Sequence, residues 1–202
     1  MNRNFLFPMV SAFLLILGTG VPSMAGEPTE QIKQTTDKIL SILADPNLKS
    51  PARAEERKQS VRQTIDERFD WEELARRSLA QHWVQRTPDE KEEFIQLYRE
   101  LLARTYLNKV QDYSGETVRY EGESIEGNYA TVKVRILTSK NTEIPVDYRV
   151  MKKGSNWLVY DISIEGVSLV NNYRSQFNSI LQKSTYQELV KKLKDKSLTE
   201  KP

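Results

Sequence analysis

The amino-acid sequence predicts an α+β fold in which helices precede a four-stranded antiparallel sheet and further helices follow it. Two changes of apolar period carry that prediction. At Ser114-Gly115 the spacing of apolar residues drops from about 3.6 to 2, and after Gly166 it returns to helical spacing. The third observation is composition. The chain has 202 residues, 38% of them hydrophobic and 9% aromatic, which suits a packed core rather than a disordered chain.

Taken in order, residues 27–44 read as a helix, with Ile32, Thr36, Ile39, Leu40 and Leu43 on one stripe and Asp45-Pro46-Asn47 as its stop. Pro51, after Ser50, begins a second helix to about Arg68. Its faces are mostly charged, with Ala54, Val61 and Ile65 apolar, so it is placed on the surface. Asp70 caps a third, since Glu73 stands three residues on, and its inner stripe is Trp71, Leu74, Ala75, Ser78 and Leu79 before His82-Trp83. Thr87-Pro88-Asp89-Glu90 is the clearest start signal in the chain. Thr87 caps, Pro88 fits the first helical position and Glu90 completes a capping box, for a helix to about Asp112.

The strands follow. Residues 117–125 are rich in β-formers, with Val118 and Tyr120 on one face, and Gly127-Asn128 turns the chain. In 129–137, Ala130, Val132, Val134 and Ile136 alternate with Thr131, Lys133 and Arg135. Ile144, Val146, Tyr148 and Val150 alternate in the same way with Pro145, Asp147, Arg149 and Met151. Lys153-Gly154 turns into a fourth strand over 157–164. Three consecutive hairpin links give a meander. Val167, Val170, Tyr173, Phe177, Ile180 and Leu181 then line one helical face. A last helix covers about 185–194 before a charged tail.

The first 25 residues read as an address. Arg3 is the only charge before Glu27, and the apolar run from Phe5 to Leu17 is too short to span a bilayer, which needs about 20 residues. Ser23-Met24-Ala25 closes it with small residues, so 1–25 is expected to be a secretory signal peptide and 26–202 one mature domain. The absence of Cys removes disulfides, thiolate nucleophiles, zinc ribbons, Fe–S clusters and lipoprotein anchoring together. One His leaves no His cluster for a metal. A net charge of +2 gives no support to nucleic-acid binding.

An antiparallel sheet with one apolar face needs a cover, expected to be the helix from Pro88 and the helix after Gly166. Two readings of the apolar residues then stand side by side: an ordinary filled core, or a cavity for an apolar ligand. Catalysis has thinner support. There is no Gly-x-Ser-x-Gly elbow and no Gly-rich phosphate loop. His82 reads as a cap or packed side chain. Asp147 and Asp161 lie on strands as candidate acid/base groups, but a carboxylate on a sheet more often bonds a neighbouring Arg or faces water, and Arg149 is available for that.

Several segments look like one family. They are the Thr87-Pro88-Asp89-Glu90 helix through Phe94, Arg99-Glu100-Leu101-Leu102 and Thr105-Tyr106; Ile144-Pro145-Val146-Asp147-Tyr148-Arg149; Trp157-Leu158-Val159-Tyr160-Asp161; and, most specific, Ile164-Glu165-Gly166-Val167-Ser168-Leu169-Val170 running on to Phe177. Together they resemble the MlaC family of periplasmic phospholipid-binding proteins, also described as toluene-tolerance or ABC-transporter auxiliary components. The resemblance runs from about residue 29 to 194. It implies a curved sheet with helices enclosing an apolar cavity, in nuclear-transport-factor-like outline. It also implies a carrier rather than an enzyme, with phospholipid as cargo and no cofactor. The implied partners are an outer-membrane lipoprotein–porin complex and an inner-membrane ABC transporter complex with an MCE-domain subunit. It tips the choice toward the cavity.

Acyl chains need a lining free of ionised groups. The strand residues that fit are Val132, Val134 and Ile136; Ile144, Val146, Tyr148 and Val150; and Trp157 and Val159. The helical candidates are Phe94, Tyr98, Leu101, Leu102 and Tyr106, with Val167, Val170, Tyr173 and Phe177. Arg149 and Arg174 are candidates for a lipid phosphate, against a competing intramolecular pair with Asp147, Asp161 or Glu165. Two other classes stay open beside the carrier: a nuclear-transport-factor-like dehydratase or isomerase, and a protein-only envelope scaffold.

Overall fold

A computed structural model describes residues 26–111 and 115–195. The expected signal peptide, the residues at 112–114 where the period changes, and the tail after 195 lie outside the described residues. Among the described residues, six α-helices and one five-stranded antiparallel sheet make up the architecture, in the order α1 (Glu27–Ala44), α2 (Ala54–Asp66), α3 (Trp71–Leu79), α4 (Pro88–Gln111), β1 (Thr117–Glu126), β2 (Tyr129–Leu137), β3 (Glu143–Lys153), β4 (Asn156–Ile164), β5 (Val167–Ser168), α5 (Leu169–Leu181) and α6 (Tyr186–Lys194).

Local chemistry accounts for most helix boundaries. The Thr87 hydroxyl accepts from Glu90 N at 3.2 Å, and the Glu90 carboxylate accepts from Thr87 N at 3.0 Å, which is the reciprocal capping box. Asp70 accepts from Glu73 N at 3.1 Å to start α3. Ser168 and Thr185 cap α5 and α6 in the same manner. The second helix begins later than expected, because Pro51–Arg53 forms a single 3-10 turn.

The start of α1 is different. Gly26 offers no side chain, and the carboxylate of Glu123 on β1 accepts from both Thr29 N, at 2.8 Å, and the Thr29 hydroxyl, at 2.5 Å. A cap borrowed from 94 residues away docks the helix onto the sheet as it starts it.

The strands follow chain order, β1-β2-β3-β4-β5. The fifth strand replaces what the sequence places at the start of a helix. Glu165 and Gly166 both take positive φ, 50° and 82°, and make a two-residue hairpin that pairs Ile164 with Val167 and Ser163 with Ser168. Glycine takes that backbone freely, whereas Glu165 does so at some cost. Together β5 and residues 68–70 cover the free edge of β4. Asp70 N donates to Val159 O and Val159 N to Arg68 O, both at 2.9 Å.

The cover of the sheet also differs from expectation. Helix α1 crosses the apolar face, and its Ile32 is buried among Ala130, Val132, Val134, Val146, Val150, Trp157 and Val159. Helix α4 instead packs mainly on α2, α3 and α6, while α5 reaches β4 at the sheet's side. Polar ties hold α1 down at one end. Arg68 donates to Gln31 Oε1 at 2.7 Å, to Thr35 Oγ1 at 2.9 Å and to Trp157 O at 3.1 Å, and Trp157 N donates to Gln31 Oε1 at 2.9 Å.

Two main cores result. The helical core joins α3, α4, α5 and α6, with Phe94 and Tyr98 of α4 and Tyr173 and Phe177 of α5 at its centre, their rings meeting at 5.3–5.8 Å, and Leu74 and Leu79 of α3 and Leu189 and Leu193 of α6 around them. The sheet core lies under α1, and Phe69 packs against both. A small third cluster of Leu43, Val61 and Leu107 joins α1, α2 and α4. Val61 is therefore fully buried on a helix that reads as charged surface.

Candidate functional site

The predicted lining residues separate by exposure. Phe94, Tyr98, Leu101, Leu102, Val170, Tyr173 and Phe177 are buried in the helical core, and Val132, Val134, Val146, Val150, Trp157 and Val159 in the sheet core. Ile136, Ile144, Tyr148 and Tyr106 are half-buried. Val167 is 58% exposed, because it sits on β5 rather than on the α5 face with Val170 and Tyr173.

Cross-strand register shows why the half-buried residues gather. Val118 pairs with Ile136, Ile136 with Ile144, and Tyr148 with Ile162, so these side chains share the face that α1 covers. Tyr120, opposite Val134, completes the group. These six apolar side chains occupy the part of the face away from the Gln31–Trp157 ties. They pack against the sheet core without being sealed. This half-open region is the candidate apolar site.

Ile162 was missed in the sequence for a specific reason. Strict alternation from Trp157 and Val159 points Asp161 and Ser163 inward. A bulge at Tyr160 shifts the register so that Val150 faces Val159 but Arg149 faces Asp161. Beyond the bulge Ile162 and Ile164 take the apolar face. An Asp falling in the inward register was the available signal.

The polar groups at the site are phenols. Desolvation pushes the Tyr148 hydroxyl up to about 12. Burial likewise raises Tyr120, against a smaller opposing effect of the neighbouring Thr36 hydroxyl. Both phenols are neutral at pH 7, so they present dipoles rather than charge, with Asp37, Lys33 and Glu30 of α1 close enough to act on Tyr120. Tyr98, by contrast, is satisfied by Ser78 at 3.0 Å and belongs to the core.

The candidate acid/base groups are placed elsewhere. Asp147 alternates with Val146 and Tyr148 and so sits on the opposite face of β3. Asp161 is buried and committed: Ser168 Oγ donates to it at 2.6 Å, Val170 N at 3.0 Å and Arg149 Nη1 at 2.7 Å. Its work is to fix the start of α5. Arg149 thus takes the intramolecular pair. Arg174 Nε donates to the Arg77 carbonyl at 2.8 Å rather than to any of the three expected acids. His82 is a packed side chain with Asn178 Oδ1 at 3.1 Å from Nε2. Among the described residues, no group of three or more His, Asp or Glu side chains could hold a metal, and no helix is long and apolar enough to cross a membrane.

Comparison with known proteins agrees with this fold. The phospholipid-binding protein from Ralstonia solanacearum, solved in complex with a phospholipid, superposes with a TM-score of 0.76 at 26% identity, covering 84% of this chain and 96% of that one. No curated protein matches significantly. The family model described as MlaC protein matches residues 33–195. A mixed fold with helices over one face of an antiparallel meander and a phospholipid-binding structural relative accompany that match, and this chain belongs to the MlaC family.

Proposed function

We propose that this protein is a soluble periplasmic phospholipid carrier that binds acyl chains at the half-open end of its sheet. It carries lipid between an outer-membrane lipoprotein–porin complex and an inner-membrane ABC transporter with an MCE-domain subunit, and so maintains outer-membrane lipid asymmetry. Residues 1–25 direct its export. The observation that carries the reading is the group of half-buried apolar side chains, Val118, Tyr120, Ile136, Ile144, Tyr148 and Ile162, left unsealed beside a well-packed core.

Magnitudes explain why such a protein needs an interior site. At about 0.8 kcal/mol per buried CH₂, two acyl chains with roughly 30 methylenes cost on the order of 24 kcal/mol to expose to water. A flat surface patch does not offset that. The half-open region borders α1, and the walls proposed for it are the half-buried strand residues above, whereas Tyr106 of α4 packs against the helical core. Fully buried Val132 and Val150 then serve as the frame beside those walls, and Phe94, Tyr98 and Phe177 hold the separate helical core. Neutral phenols at Tyr120 and Tyr148 suit the ester region of a lipid, since each has an apolar body and a polar tip.

The test is solvent extraction and mass spectrometry of natively folded protein from a bacterial host. Phospholipid at near-stoichiometric amounts supports the carrier. Folded protein free of lipid counts against it and favours a scaffold with a filled core.

A further inference from the structure

A second recess lies on the other side of the sheet. Arg77 of α3, Arg149 of β3, Tyr160 and Asp161 of β4, and Asn171 and Arg174 of α5 surround a volume of about 370 Å³. Arg149 alternates with Tyr148 along β3, so this recess and the apolar site occupy opposite faces. We propose that it is a binding site for a phosphate group.

The charge balance is the first reason. Three guanidinium groups and one carboxylate line the recess. The carboxylate, Asp161, is 3% exposed and already takes three hydrogen bonds, two of them from Ser168 and Val170 outside the guanidinium set. Two positive charges are left without a counter-charge in the lining. Glu73 touches Arg77 at 2.6 Å but is shared with Arg76 at 2.7 Å. Arg174 has no acidic partner among the described residues. Guanidinium groups converge on one recess against their mutual repulsion unless an anion joins them.

Preorganisation is the second reason. Arg77 lies 4.1 Å over the Tyr160 ring, Arg174 is anchored through Nε to the Arg77 carbonyl, and Arg149 is anchored through Nη1 to Asp161. The described hydrogen bonds take one nitrogen of each group, Arg77 Nε to Glu73, Arg174 Nε to the Arg77 carbonyl and Arg149 Nη1 to Asp161, and all three side chains line the recess. Forks held in this way match a tetrahedral oxyanion better than flexible lysines do. The side chain of Asn171 adds a neutral donor. The volume exceeds that of a bare phosphate, so a monoester or diester fits.

The phosphate has two conceivable sources, a soluble phosphate compound or a lipid headgroup, and titration calorimetry separates them. Inorganic phosphate is titrated into the exported chain both lipid-loaded and delipidated, with water-soluble dihexanoyl phosphatidylglycerol as the headgroup probe. One saturable site is expected, weakened at least tenfold by Arg174→Gln and unchanged by Lys133→Gln, with equal thermal melts. Should Arg174→Gln fail to fold, Arg77→Lys keeps the charge toward Glu73 and removes the fork, and the same weakening is expected. Phosphate binding to both forms, unaffected by the lipid probe, identifies a soluble source. Binding to delipidated protein alone, with displacement by the lipid probe, identifies the headgroup. Heat that never saturates, or equal affinity in Arg174→Gln, overturns the site. Lipid content by mass spectrometry is read separately, so loss of this site and failure of the carrier reading remain distinguishable.

Discussion

Ile144→Glu separates a lipid-lining role from a core role. Ile144 is half-buried at the start of β3, opposite Ile136, at the unsealed end of the face. Half-burial of an Ile side chain stabilises the fold by about 1 kcal/mol. Its loss lowers the melting temperature by roughly 2–4 °C in a chain of this size. The effect on a bound acyl chain is larger. A glutamate against hydrocarbon is neutralised before it is desolvated, and protonating it at pH 7 from its ordinary value costs about 3.7 kcal/mol, or roughly 500-fold in affinity. The carboxyl dipole adds to that. The assay is phospholipid per protein after native purification, read by extraction and mass spectrometry beside a thermal melt. Lys133→Gln, on the opposite face of β2, is the control. Lipid should fall at least tenfold in Ile144→Glu and stay at the wild-type level in the control. Wild-type lipid content in a folded Ile144→Glu protein refutes the placement of the site.

Three further outcomes follow from the packing. Thr87→Ala breaks the capping box of α4 and should lower stability by about 1 kcal/mol in urea denaturation, with no change in lipid content. Asp161→Ala leaves Ser168 and Val170 N without their buried acceptor and should cost about 3 kcal/mol by the same measurement. The third concerns acid. The Arg76 guanidinium, followed by that of Arg77, holds the Glu73 carboxyl below its ordinary value of 4.5. Its folded pKa is depressed, so the stability it contributes is present above 4.5 and is lost as pH falls toward the lower folded value. Glu73→Gln should therefore flatten the acid limb of the stability curve below 4.5, and an unchanged limb contradicts the pairing.

What the residues disclosed in advance was mostly local. The caps at Asp70 and Thr87 and the alternation on β2 and β3 each depend on neighbours within a few positions, and each stands in the structure; the return to helix stands too, but from Leu169 rather than directly after Gly166. What was hidden is long-range or conformational. Glu123 as the cap of α1 spans 94 residues. The choice of α1 over α4 as the cover follows from that docking and from Arg68, neither of which has a periodic signature. Strand β5 depends on Glu165 adopting positive φ, a conformation its residue type disfavours. The bulge at Tyr160 exchanges Asp161 for Ile162 on the apolar face. For the site itself, frame and wall require the same residue types. Val132 and Ile136 look alike as text, yet the first is fully buried in the sheet core and the second half-buried at its border.

The carrier claim is tested most directly by transfer between membranes. Donor vesicles holding pyrene-labelled phosphatidylglycerol are mixed with unlabelled acceptors, and excimer fluorescence is followed with added protein. A transfer rate rising in proportion to wild-type protein, and falling to the spontaneous rate with Ile144→Glu, is the result predicted. Transfer no faster than the protein-free rate with folded wild-type protein contradicts it.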